Sequence, residues 1–383
     1  MSVTAAKGFT AAGVAAGIKE SGNPDLALVV NQGPNLAAAG VFTSNRVKAA
    51  PVLWSEQVLK GGQVSAVVLN SGGANACTGP LGFQDTHATA EKAAKALGHS
   101  AGEIAIASTG LIGLRLPMDK LLTGIEAAVA ELSPHGGEKA AIAIKTTDTV
   151  HKMAVAAGDG WTVGGMAKGA GMLAPGLATM LVVLTTDADV DATGLDDALR
   201  AATRTTFDRV DSDGCMSTND TVLLLASGAS AITPPQQKFA EAVRSVCEDL
   251  ARQLIGDAEG ASKDIRIEVV NAASEEDAVE VGRSIARNNL LKCAIHGEDP
   301  NWGRVLSAIG TTSAVFEPDQ LNVAINGVWV CKNGSVGEDR DLVDMRFREV
   351  RITADLAAGA HSAVIWSNDL TADYVHENSA YSS

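Results

Sequence analysis

Short apolar runs separated by Gly, Asn and Ser fill the first third of the chain. Residues 26–30, 40–43, 66–70 and 104–107 read as buried strands. Residues 88–97 and 118–132 carry apolar side chains at helical spacing, and Pro117 suits the start of the second of these helices. Residues 139–145 fit either a short helix or a strand entry, and residues 154–156 read as a strand. After a Gly-rich stretch comes the most strongly apolar strand, 180–185. A helix over 196–205 and a strand over 221–225 follow. Pro234 and Pro235 open the clearest long helix, 236–254. Residues 265–270 alternate as a strand does. Ser274 then supplies an N-cap, and Glu275, Glu276 and Asp277 an acidic first turn, for a helix reaching about Leu291. The C-terminal part reads as short strands at 314–316, 323–325, 328–331, 350–354 and 362–366, and the last residues as a frayed tail.

Helices and strands are interspersed without a regular βαβ alternation. That pattern predicts a layered α+β protein rather than a doubly wound dinucleotide fold. The length of 383 residues allows one large domain with a smaller one appended. Hydrophobic residues make up 46% of the chain but aromatics only 4%, so its cores must be built from small and aliphatic side chains. A net charge of −15 argues against nucleic acid or an anionic membrane as the main partner. The five cysteines, Cys77, Cys215, Cys247, Cys293 and Cys331, are scattered and form no C-x-x-C, which fits reduced thiols in a cytoplasm. No Cys or His spacing suggests a metal site. The first residues, Met1 to Phe9, do not read as a signal peptide, and with no apolar run of about 18 residues no membrane span is expected.

The chemistry concentrates around Lys168-Gly-Ala-Gly-Met-Leu-Ala-Pro-Gly-Leu-Ala178-Thr179-Met180. A threonine that enters a buried strand after a tight Gly/Pro turn is a candidate internal nucleophile. If the Ala178–Thr179 bond breaks, Thr179 gains an α-amino group beside its hydroxyl, and that amine can serve as its general base. An acyl-transferring threonine also needs donors for the developing oxyanion. Ala107-Ser108-Thr109-Gly110-Leu111-Ile112-Gly113 follows a short strand, where Thr109 offers a hydroxyl and a glycine allows close backbone approach. Lys168, in the Gly-rich stretch, could pair with a substrate carboxylate or with the carbonyl displaced in self-cleavage, or simply be a solvated loop cation. The stretch is not a Walker A loop.

Taken together, these segments resemble the ornithine acetyltransferase (glutamate N-acetyltransferase) family of arginine biosynthesis. The Lys168–Thr179 stretch matches its self-cleavage motif, and Ser108-Thr109-Gly110-Leu111-Ile112-Gly113 its S-T-G-x-I-G motif. Thr146-Thr147-Asp148-Thr149 matches T-T-D-T, although Val150-His151-Lys152 lacks the proline usual after it. Asp257-Ala258-Glu259-Gly260 matches D-x-E-G, and Glu377-Asn378-Ser379-Ala380-Tyr381-Ser382-Ser383 the family's C-terminal ending. Asn70–Gly79, Asp213–Thr221 and Asp299–Arg304 match further motifs that point to site architecture; Asp220 and Arg304 read as buried or partnered polar residues.

The resemblance implies an αββα sandwich over about residues 1–260 and a smaller α/β domain over about 265–383. It implies self-cleavage into an α chain, 1–178, and a β chain, 179–383. It implies Thr179 as nucleophile, and the Thr109 side chain and Gly110 backbone as oxyanion hole. It also implies Thr146, Lys168, Thr179, Glu259, Asn378 and Ser383 as substrate-binding residues. The activity implied is ping-pong transfer of acetyl from N2-acetyl-L-ornithine to L-glutamate by a cytoplasmic heterotetramer of two α and two β chains. No bound cofactor or metal is implied, and acetyl-CoA stays open as a second donor. Two rivals remain at this point: a self-processed aminopeptidase or amidase of related architecture, and a binding protein that keeps the scaffold.

Overall fold

The computed structural model describes residues 2–174 and 180–380. They form two compact units. The first runs through Asp208 and takes in Cys215–Asp257; the second comprises Arg209–Gly214 and the chain from Ala258 onwards.

The first unit holds two sheets. One has the order β1 (Phe9–Val14), β2 (Leu26–Asn31), β4 (Ala66–Ser71), β5 (Ile104–Thr109). The other has the order β3 (Ala38–Phe42), β9 (Thr221–Ala226), β8 (Leu181–Thr186), β7 (Thr162–Lys168), β6 (Lys152–Ala157). Strands β2, β4, β5, β8 and β9 are buried at every position, as continuous apolar runs require when both faces are covered. Val29, Val67, Leu69 and Ala105 of the first sheet share one core with Leu181, Val183, Leu223 and Leu225 of the second. The outer face of the first sheet, with Leu28, Val68 and Ile106, packs on α2 (Gly79–Leu97) and α3 (Met118–Ala130). Helix α1 (Ala50–Leu59) lies against β5, and α4 (Gly137–Ala143) against β1 and β2. The second sheet is covered by α5 (Ala192–Thr205) against β3 and by α6 (Gln236–Gly256) against β6 and β7. The result is an αββα layering.

The second unit is one six-stranded mixed sheet. Its order is β13 (Ser335–Val336), β12 (Val328–Lys332), β11 (Asn322–Ile325), β14 (Glu349–Asp355), β10 (Asp264–Ala272), β15 (His361–Asn368). Ile265, Ile267 and Val269 of β10 face a core under α7 (Glu275–Ala286), α8 (Asn289–His296) and α9 (Trp302–Ile309). A further helix, α10 (Ala372–Ala380), takes in residues 376–380, which read as part of a frayed tail. The helix expected to run from Ser274 to about Leu291 is two helices. The first ends at Ala286, and Asn288 caps the second by accepting from the Leu291 N–H at 3.2 Å. Residues 314–316 form no strand. All five cysteines are free thiols. No helix among the described residues is long and apolar enough to cross a membrane, and no cluster of metal-ligating side chains occurs among them.

Candidate functional site

Thr109 is the last residue of β5, where the parallel ladder with β4 ends at the Ser71–Thr109 pair. Its carbonyl accepts from the N–H groups of Gly72 at 2.9 Å and Gly73 at 3.0 Å. Gly110 then turns the chain at φ +131°, and a Cβ there would lie 2.5 Å from the Gly73 nitrogen, so two backbones meet where only glycine fits. The Gly110 N–H donates to none of the described residues. Sequence position thus places a hydroxyl and an uncommitted amide side by side at one strand end.

Lys168 is the last residue of β7, not part of a solvated loop, and only 2% of it is exposed. Its Nζ donates to Thr109 Oγ1 at 3.2 Å. An ammonium can only donate, so Thr109 Oγ1 is the acceptor and its own O–H must point elsewhere. Behind Lys168 lies Asp148. Its carboxylate takes the Thr146 N–H at 3.0 Å, the Gly169 N–H at 2.6 Å and Lys152 Nζ at 2.7 Å. Lys152 is fully buried and also reaches Asp257 at 2.6 Å. Burial alone would push the Asp148 carboxyl up. The positive charges of Lys168 and Lys152 and the Gly169 amide overcome it and hold Asp148 at about 2. The T-T-D-T motif is therefore a carboxylate cage, with half-buried Thr146 on its rim.

Two further polar residues of the first unit join this set. The Asn219 side-chain amide donates to the carbonyls of Ala74 at 2.6 Å and Ser108 at 2.8 Å. Asp220 is fully buried, and its Oδ1 accepts from the Met180 N–H at 3.2 Å. The sequence placed both in the Asp213–Thr221 motif and read Asp220 as a buried or partnered polar residue, as it is. The local signal was a polar Ser-Thr-Asn-Asp run leading straight into an apolar strand.

In the second unit, Glu259 is buried, and its Oε2 accepts from Asn378 Nδ2 at 3.0 Å. Gly260 allows this approach: at φ +61°, a Cβ there would sit 2.2 Å from the Tyr374 nitrogen of α10. Two residues 119 positions apart in sequence thus meet. Ala178, Thr179 and Ser383, the remaining expected site residues, lie outside the described residues.

Chemically, the first unit offers a polarised hydroxyl and an amide for an oxyanion, backed by buried cations. The second offers a carboxylate suited to an ammonium. The ArgJ family profile matches residues 10–383. The chain is 84% identical to the arginine biosynthesis bifunctional protein ArgJ of Streptomyces avermitilis over the full length of both. It is 59% identical to the ArgJ protein of Mycobacterium leprae, covering all of this chain and 96% of that one. Among solved structures, an ornithine acetyltransferase from Mycobacterium tuberculosis complexed with ornithine is 62% identical; the match covers 47% of this chain and 96% of that one, with a TM-score of 0.45.

Proposed function

Because the chain belongs to the ArgJ family and is a bifunctional ornithine acetyltransferase of arginine biosynthesis, we propose that it works through a covalent acetyl ester on Thr179, freed by cleavage of the Ala178–Thr179 bond. In the maturation step the Thr179 hydroxyl attacks the Ala178 carbonyl and the acyl group moves from nitrogen to oxygen. Water then hydrolyses the ester. The chain becomes 1–178 and 179–383, and Thr179 keeps a free α-amine as its base.

In the first half-reaction that amine takes the hydroxyl proton as Oγ attacks the acetyl carbonyl of N2-acetyl-L-ornithine. The C–N bond breaks, the proton passes to the departing nitrogen, and ornithine leaves. In the second, the α-amine of L-glutamate attacks the ester carbonyl, the proton returns to Oγ, and N-acetyl-L-glutamate leaves. Each step passes a tetrahedral oxyanion, for which the Thr109 hydroxyl and the Gly110 N–H are the donors. Glu259, held by Asn378, takes the ammonium end of ornithine; Thr146, Lys168 and Ser383 complete the substrate contacts. Acetyl-CoA serves as a second donor to the same threonine. The reaction needs no bound metal or organic cofactor, and the working form is a cytoplasmic heterotetramer of two α and two β chains.

The observation that carries this reading is the Lys168–Thr109 hydrogen bond beside Gly110, which leaves the threonine proton available to an anion. Intact-mass analysis before and after acetylornithine tests it. Two chains cut after Ala178 are expected, with one acetyl added to the second, and Thr179→Ala should remove both changes. Cleavage that persists in Thr179→Ala, or acetate release independent of glutamate, refutes it.

A further inference from the structure

Strands β8 and β9 run parallel and begin level with each other, at the Leu181–Thr221 pair. Two hydrogen bonds tie Met180, just before β8, to Asp220 and Thr221 at the start of β9. Thr221 N–H donates to the Met180 carbonyl at 3.1 Å, and Met180 N–H donates to Asp220 Oδ1 at 3.2 Å. The second tie is not one that strand pairing requires, because backbone groups alone would start the ladder. It places a fully buried carboxyl on the amide that follows residue 179 in the chain.

Burying that carboxyl is costly. Desolvation pushes it well above the ordinary carboxylate range, against the opposing pull of the Met180 amide, Lys168 and Ser217. Its Oδ2 finds no hydrogen-bond partner among the described residues. The preceding side chain is committed elsewhere. Both amide protons of Asn219 are used, on Ala74 and Ser108, and the Ser108 carbonyl belongs to the peptide whose N–H is that of Thr109. Ser217 Oγ in turn accepts from the Asn219 N–H at 3.0 Å, and Thr43 N–H donates to the Asp220 carbonyl at 3.0 Å, so the pair is itself clamped.

We propose that Asn219 and Asp220 are positioning residues for acyl transfer: Asn219 fixes the peptide that leads into Thr109, and Asp220 fixes the peptide that follows the nucleophile. Adjacent in sequence and fixed to each other by one peptide bond, they set the distance between the two halves of the machinery. This rests on the reading of Thr179 as nucleophile. Near-attack geometry tolerates little error, and a displacement of about 1 Å costs on the order of a hundredfold in rate.

The test uses full-length protein carrying Asp220→Asn, Asp220→Ala or Asn219→Ala, with Thr179→Ala as reference. The readouts are the rate of cleavage by intact mass, and kcat and KM for acetylornithine on the matured fraction. Asn keeps the shape and the acceptor oxygen, so Asp220→Asn should stay within about fivefold of the parent. Asp220→Ala strands a buried N–H, and Asn219→Ala two buried carbonyls; both should lower cleavage rate and kcat by about tenfold or more with KM little changed. A kcat in Asp220→Asn about tenfold or more below the parent overturns the proposal, and that comparison with the parent stands even if the alanine variant fails to fold. Parental kcat in folded Asp220→Ala and Asn219→Ala also overturns it. In contrast, cleavage and acetylation of Thr179→Ala would sink the nucleophile assignment itself.

Discussion

Replacing Lys168 with methionine removes the cation behind Thr109 while keeping most of the side-chain volume. The lysine donates to Thr109 Oγ1 at 3.2 Å with both groups buried, so the lost bond is charge-assisted and worth about 1.5–3 kcal/mol. Spent on orienting a transition-state donor, that corresponds to a fall in kcat of about 10- to 150-fold. Thr109→Val removes the donor itself, for which about 3 kcal/mol, or about 150-fold, is typical. If Lys168 acts on catalysis through Thr109, the double variant should be no slower in kcat than Thr109→Val alone, because valine leaves the lysine nothing to orient. The assay is steady-state transfer from acetylornithine to glutamate, with active sites counted as the acetylated fraction by intact mass. A direct contact of Lys168 with substrate would appear separately in KM. Losses in kcat that multiply, giving a double variant slower than Thr109→Val by the full Lys168→Met factor, would refute the coupling.

Two other outcomes follow from the same cluster. Asp148 sits at about 2 in the fold against an ordinary 3.8, so its contribution is complete above about pH 4 and is lost as the pH falls from there towards 2. The difference amounts to about 2 kcal/mol. Urea midpoints measured across that window should fall more steeply for the parent than for Asp148→Asn, and parallel profiles would contradict the assignment. Gly110→Ala forces an L side chain into φ +131° against the Gly73 backbone, so cleavage and transfer should drop at least about a hundredfold while Tm, read by calorimetry, falls by only a few degrees; near-parental transfer would show that this strand end is not the oxyanion site.

Periodicity located most of the frame because the frame is made of long apolar strands. Residues 26–30, 66–70 and 221–225 each lie within an observed strand and are buried throughout. It missed elements whose residues carry little strand or helix character of their own. Strand β7 reads Thr-Val-Gly-Gly-Met-Ala-Lys, which has little intrinsic strand character. Its glycines are selected by packing instead: a Cβ on Gly164 would lie 2.3 Å from the Ser2 carbonyl oxygen. Helix α2 begins at Gly79, nine residues ahead of the expected 88, since Gly79-Pro-Leu-Gly looks like a turn until Asn75 and Thr86 tie its first turns down. The oxyanion segment was legible because a strand ending in Ser-Thr-Gly is a local pattern. The pairing of Lys168 with Thr109, 59 positions apart, is not local, and neither is the meeting of Asn378 with Glu259.

The burial of Lys168, which rules out the alternative of a solvated loop cation, shows what the core does with charge. Lys168 and Lys152 stand among Asp148 and Asp257, two cations against two anions, within a core otherwise built of small and aliphatic side chains. In water such pairs would contribute little; buried, each partner is held because losing one strands the others, at about 3–5 kcal/mol. The balance has a consequence for chemistry. Asp148 is already committed to Lys152 and to the amides of Thr146 and Gly169, so it steadies Lys168 without solvent having to reach either group. The Lys168 ammonium therefore meets Thr109 in a water-poor setting, where an oriented hydroxyl stabilises an oxyanion far better than a hydrated one could. Stability lost by burying four charges is thus returned as an arrangement that needs no reorganisation when the anion forms.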